Sequence, residues 1–220
     1  LVAGVGALAV AAVALVPPAA ALAPNVPLTM RPVVLPRWFT AVAPSLPPGR
    51  VVLTFPLPVT GGSAMTWQAV EDFPFALATG AGPQSIPRRA GPERAGQAVL
   101  VAAGSLFTTL APPTAGNVSA VRDALAGWQV TTAVVPDPAV LQPHADRAAA
   151  TAWALGYLTL AVGRAPHRVA GSWVWSGVRA PSARLSIGRT AFDRCTAPGR
   201  LRAHGGTAVP ACVTAHATPS

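Results

Sequence analysis

The chain has 220 residues, of which 51% are hydrophobic and only 10% charged, against roughly 25% charged in an ordinary soluble domain. That length suits one domain with an appendage, and the shortage of charge points to membrane association. The net charge is +9, but the sixteen basic residues, all Arg, scatter from Arg31 to Arg202 with no basic helix or zinc-finger spacing. This argues against nucleic acid as a partner and favours anionic lipid headgroups.

Residues 1–30 carry no charge, and residues 1–16 are an unbroken run of Leu, Val, Ala and Gly. Sixteen residues fall slightly short of the ~20 that span a bilayer. Pro17-Pro18 interrupt the run, and residues 19–23 extend it. Because the chain opens on Leu, residues 1–23 read as the last transmembrane helix of a longer protein, with upstream sequence completing the span. A signal peptide is the competing reading, since Ala21-Leu22-Ala23 resembles a cleavage motif, although the basic n-region is missing and Pro24 follows the cut. Both readings place the remainder outside the cytoplasm.

Eleven prolines between Pro17 and Pro58 exclude long helices and predict an extended stalk over 24–49. Trp38 and Phe39 suit the membrane interface or packing onto the following domain. The apolar, β-branched run 51–55, bounded by prolines, predicts a buried strand. Ser63 opens a short helix through 70, and 73–77 is a further short strand. A loop follows over 80–94.

Residues 93–110 suit a helix, and 119–128 suit a better one, capped by Asn117 or Ser119, with Val121, Leu125 and Trp128 on one face. Asn117-Val118-Ser119 also fits a glycosylation pattern, but reads more simply as that cap. Residues 130–135 predict a strand stopped by Pro136-Asp137-Pro138, and 146–162 a helix ended by Gly163. Residues 169–178, with Trp173 and Trp175, alternate like a strand with a partly exposed edge. Strands alternating with helices predict an α/β domain over 50–180 with a mainly parallel sheet, followed by a tail over 181–220.

Cys195 and Cys212 are separated by sixteen residues rich in Gly, Ala and Pro. Outside the cytoplasm the pair predicts a disulfide that ties down this tail. Free thiols and a metal site are the alternatives, the latter because His204 lies between the cysteines and His216 follows them. The spacing matches no zinc motif well, so no metal is assigned.

Asp137, just beyond a predicted strand, sits where parallel sheets place ligand crevices, or else forms a turn with nearby amides. Trp67 with Gln68 suggests a sugar-stacking and hydrogen-bonding platform, against the plainer reading of Trp67 as core. There is no Gly-x-Ser-x-Gly elbow, phosphate-binding glycine loop or His-Glu-x-x-His pair. Glu71 and Asp72 are adjacent and diverge, so they cannot flank a glycosidic bond. No catalytic residue and no cofactor are assigned.

Leu46-Pro47-Pro48-Gly49-Arg50-Val51-Val52-Leu53, Phe55-Pro56-Leu57-Pro58 and Met65-Thr66-Trp67-Gln68-Ala69 together carry a likeness. So do Val134-Val135-Pro136-Asp137, Ala161-Val162-Gly163-Arg164-Ala165-Pro166 and Trp173-Val174-Trp175. Over residues 33–212 the chain resembles the C-terminal region of actinobacterial polytopic membrane proteins of the glycosyltransferase C superfamily, which use lipid-linked sugars.

The resemblance implies an extracytoplasmic domain at the cell membrane that assists binding of a glycan acceptor or a polyprenyl-phosphate sugar. The superfamily's catalytic acidic residue lies in an early external loop between membrane helices, and no position here corresponds to it. The alternative is a non-enzymatic, anchored or secreted envelope module that binds glycan or a protein partner.

Overall fold

The computed structural model describes residues 34–57, 63–72, 74–78, 92–104, 112–138, 147–178, 184–197, 199 and 207–219. The transmembrane helix assigned to 1–23 lies outside the described residues. Among those described, no helix is long and apolar enough to cross a membrane.

Five strands form the main sheet: β1 (Val51–Thr54), β2 (Ala76–Leu77), β3 (Thr132–Pro136), β4 (His167–Val169) and β5 (Ser172–Ser176). Their order is β2-β1-β3-β5-β4. β1 pairs in parallel with β2 and β3, whereas β5 is antiparallel to both β3 and β4. The α/β class and the parallel β2-β1-β3 half agree with the sequence reading.

The other half is a hairpin, not the single strand predicted over 169–178. Ala170 and Gly171 join β4 to β5 with φ of 47° and 77°. Two left-handed residues make the tight turn that suits the twist of antiparallel strands, and so short a link cannot make a parallel crossover. β5 therefore lies between β3 and β4 with four of its five residues buried, and the exposed strand is β4.

Besides a short 3-10 helix at Ala43–Ser45, seven α-helices have described bounds: α1 (Arg37–Ala41), α2 (Ser63–Val70), α3 (Pro92–Gly104), α4 (Ala115–Gly127), α5 (Arg147–Val162), α6 (Arg189–Cys195) and α7 (Ala208–His216). A short antiparallel pair, β6 (Leu185–Ser186) with β7 (Thr218–Pro219), joins the ends of the α6–α7 segment.

Helices cover both faces of the sheet. Alternate strand residues divide between two cores, as a period of two requires. Val51, Leu53, Ala133, Val135, Trp173 and Trp175 face α3, α4, α5, α6 and α7. Val52, Leu77, Val134 and Val174 face Trp38, Phe39, Trp67 and Phe75. Burial on both sides explains why β1 and β3 read as continuous apolar runs and not as alternating ones.

Several boundaries differ from those expected. Trp38 and Phe39 are 1% and 0% exposed, with their rings 5.0 Å apart edge to face, so of the two settings open to them the domain core is the one observed. Val34 onward belongs to one compact unit, and residues 34–46 pack on the domain where a stalk was expected. Residues 184–219, read as a tail, contribute Phe192, Cys195, Val209 and Val213 to the larger core. β2 is shorter than the predicted 73–77.

Pro92, expected in a loop, is the first residue of α3, where its missing N–H would have had no helical partner. The predicted 93–110 helix is seen to Gly104, and 105–111 lie outside the described residues. α4 starts earlier than predicted because Thr114, not Asn117 or Ser119, is its N-cap: its hydroxyl accepts from the Asn117 amide at 3.2 Å. Asn117 instead donates its side-chain amide to the Pro112 carbonyl at 3.0 Å.

Candidate functional site

From β1 the chain moves to β2 on one side, then returns to place β3 on the other. The point where an α/β sheet reverses its order opens a crevice outside the strands' carboxyl ends, the usual ligand position in such sheets. Here that point lies between β1 and β3. On the β1 side stand Thr54, buried, and Phe55-Pro56, whose peptide is cis. The Phe55 amide donates to the Val134 carbonyl at 3.0 Å and ties the two strand ends together.

Asp137 stands on the β3 side, directly after the last strand residue. Its amide donates to the Gly171 carbonyl at 3.2 Å, and its carboxylate accepts from Arg168 Nη2 at 2.5 Å. Its ion-pair partner is 31 residues away on β4. Arg168 is paired in register with Trp173, and its guanidinium carbon lies 4.1 Å from the centre of that indole. Such a cation over a ring contributes about 0.5–1 kcal/mol at exposed sites and fixes the cation's plane.

The two charged side chains are each about one-third exposed, at 35% for Arg168 and 31% for Asp137. The buried Trp173 ring lies beneath Arg168. A guanidinium has five N–H donors in a rigid fork, and the bond to Asp137 engages Nη2. The cluster thus offers solvent a fixed cation and a fixed carboxylate side by side. This suits recognition of a hydroxyl-rich or anionic ligand.

The other predicted binding residues are not brought to this edge. Trp67 and Gln68 are each 2% exposed. Trp67 packs on Phe39 with ring centres 4.9 Å apart, and Gln68 Nε2 donates to the Phe75 carbonyl at 2.5 Å. Both belong to the aromatic core beneath the sheet, so neither presents a surface on which a sugar could stack. Helical spacing did not separate the face of α2 that meets the sheet from the face that meets water.

Arg168 was not singled out from the sequence. The available signal was the Ala170-Gly171 turn: a two-residue link centred there places 168 opposite 173 and 167 opposite 174.

Cys195 and Cys212 are joined in a disulfide, with Cα atoms 5.5 Å apart. It links the end of α6 to the middle of α7. Such bonds form and persist in oxidising compartments. His216, one turn beyond Cys212, holds Nδ1 3.9 Å from its sulfur.

Two further polar groups serve the scaffold. Arg122, on α4, donates to the carbonyls of Leu160 and Ala161 at 3.3 and 3.2 Å, closing the carboxyl end of α5. Burial first, and then the nearby Arg184, lowers its pKa from the usual value. The Tyr157 hydroxyl, on α5, donates to the Pro112 carbonyl, and burial pushes its pKa up to about 12. Compared with known proteins, the chain matches no family model, no curated sequence and no solved structure.

Proposed function

We propose that the chain is the extracytoplasmic C-terminal domain of a membrane glycosyltransferase-like protein. In this reading it helps to hold a glycan acceptor or a polyprenyl-phosphate sugar and does not itself catalyse transfer. The observation that carries the reading is the Asp137–Arg168 pair at the carboxyl edge of the sheet, with Arg168 over the Trp173 ring. A carboxylate accepts from sugar hydroxyls, and a planar guanidinium meets a phosphate with two parallel hydrogen bonds. The Cys195–Cys212 disulfide supports a location outside the cytoplasm.

The test is calorimetric titration of the oxidised 220-residue chain in detergent, with soluble envelope glycans and with a polyprenyl-phosphate sugar as separate arms. One arm should show saturable binding, lost in Asp137→Asn or Arg168→Gln. An ion pair this exposed contributes only about 0–1 kcal/mol to stability, so both variants should stay folded. Absence of binding in both arms would overturn the proposal.

A further inference from the structure

A staple between two helices needs two cysteines and no histidine. Beside the Cys195–Cys212 bond, however, stands His216, one helical turn from Cys212 on the same face of α7. One donor atom from each of the three residues lies within 4.8 Å of the others. The His216 ring is held by Nδ1, 2.9 Å from the Cys212 carbonyl oxygen, which keeps the imidazole beside the sulfur. The same Nδ1 faces the Cys212 sulfur, so a cation bound there would replace this carbonyl contact.

We infer that Cys195, Cys212 and His216 form a redox-gated site for a borderline-soft divalent cation such as zinc. In the oxidised chain the sulfurs are bonded to each other and the site is closed. In the reduced chain the same three residues supply two thiolates and one imidazole, a ligand set that zinc accepts, with solvent in the fourth tetrahedral position.

Access is graded in the direction the gate needs. Cys195 is buried, Cys212 half-buried and His216 exposed, so a reductant or a cation reaches the Cys212–His216 side while Cys195 anchors the site from within. Cys195 also ends α6, where the carbonyl end of a helix favours positive charge.

Opening is a two-electron step. A dithiol, or a phosphine with water in the assay, supplies two electrons and two protons. The sulfur–sulfur bond breaks to two thiols, and the reductant leaves as a disulfide or phosphine oxide. Cation binding then releases the two thiol protons to solvent.

Cobalt(II) is the probe, added to the 220-residue chain before and after reduction with a phosphine. The reduced chain should bind one equivalent with thiolate-to-cobalt charge-transfer absorption, displaced by zinc, and the oxidised chain should not. His216→Ala, at an exposed position, should weaken binding by about tenfold or more, as loss of even an outer-shell partner does. The inference is overturned by silence of the reduced chain, by equal binding to the oxidised chain, or by unchanged affinity in His216→Ala. Helical circular dichroism is followed in parallel: a reduced chain that unfolds and is not refolded by zinc would also overturn it.

Discussion

The two faces of the sheet are filled by different means. On one, long helices rich in small residues approach closely. A Cβ on Gly96 would overlap the Ala120 carbonyl oxygen and lie 2.5 Å from the Ala124 Cβ, and one on Gly156 would lie 2.7 Å from the Phe192 ring. Arg122 and Tyr157 are matched across elements there, although Trp173 Nε1 and Glu93 Oε2 are buried without a hydrogen-bond partner among the described residues, and a disulfide closes the outer layer. On the other face, short helices carry large rings, with Trp38, Phe39, Trp67 and Phe75 at mutual angles of 41° to 83°.

That aromatic face leaves the indole nitrogens of Trp38 and Trp67 buried without a hydrogen-bond partner among the described residues. Rings fill volume well but bring an N–H that the layer does not satisfy. Both faces bury large rings, and the helical face adds close helix contacts and a disulfide.

Perturbation should separate the two. Trp67→Ala should cost about 3–5 kcal/mol, the range for emptying a large aromatic site, whereas Trp67→Phe, which also removes the unpartnered N–H, should cost far less. Urea unfolding of both variants checks this, and equal losses would mean that the indole nitrogen is well satisfied. On the helical face, replacing Cys195 and Cys212 together with Ala should cost about 3 kcal/mol through the loop-closure entropy of a 17-residue separation. A loss confined to the unfolding of α7 in hydrogen exchange would mark the staple as local.

Gly96→Ala should cost about 1–3 kcal/mol, because the obstacle is helix backbone and not a flexible side chain; thermal melting reads it directly. The smallest effect is pH-dependent. The folded-state pKa of Tyr157 lies above its unfolded value of 10.0, so the unfolded chain releases this proton first. Its contribution is fully present below pH 10.0, and stability should fall as pH rises from there through about 12. Tyr157→Phe should flatten that part of the profile.

Much of the fold was legible because its signals are local. Residues 51–55 and 130–135 announced β1 and β3 by β-branched runs between prolines, and Gly163, with φ of 78°, ends α5 as its position suggested. The cysteine pairing was legible from redox chemistry and the absence of a zinc pattern. The strand over 169–178 was misread because apolar alternation continues through Val169 to Val178 and hides the Ala170-Gly171 turn. That turn depends on an alanine with positive φ, which such a residue seldom adopts.

The candidate site was half legible. Asp137 could be placed at a strand end from its neighbours alone. Arg168 could not be joined to it, because their contact depends on β5 lying between β3 and β4. Trp67 and Gln68 look the same in sequence whether they face water or a core, and the choice belongs to partners beyond α2, Phe39 packing on Trp67 and Phe75 accepting from Gln68.

By itself, then, the sequence determined the α/β class, most helix and strand positions and the Cys195–Cys212 bond, all of which rest on periodicity, chain breakers or the chemistry of a residue type. Only the tertiary structure decided the direction of β5, the burial of Trp38, Phe39 and Ala43 from the proline-rich segment, and the union of Asp137, Arg168 and Trp173 at one edge. Those depend on contacts between residues far apart in the chain, whose free energy appears only when both partners are in place.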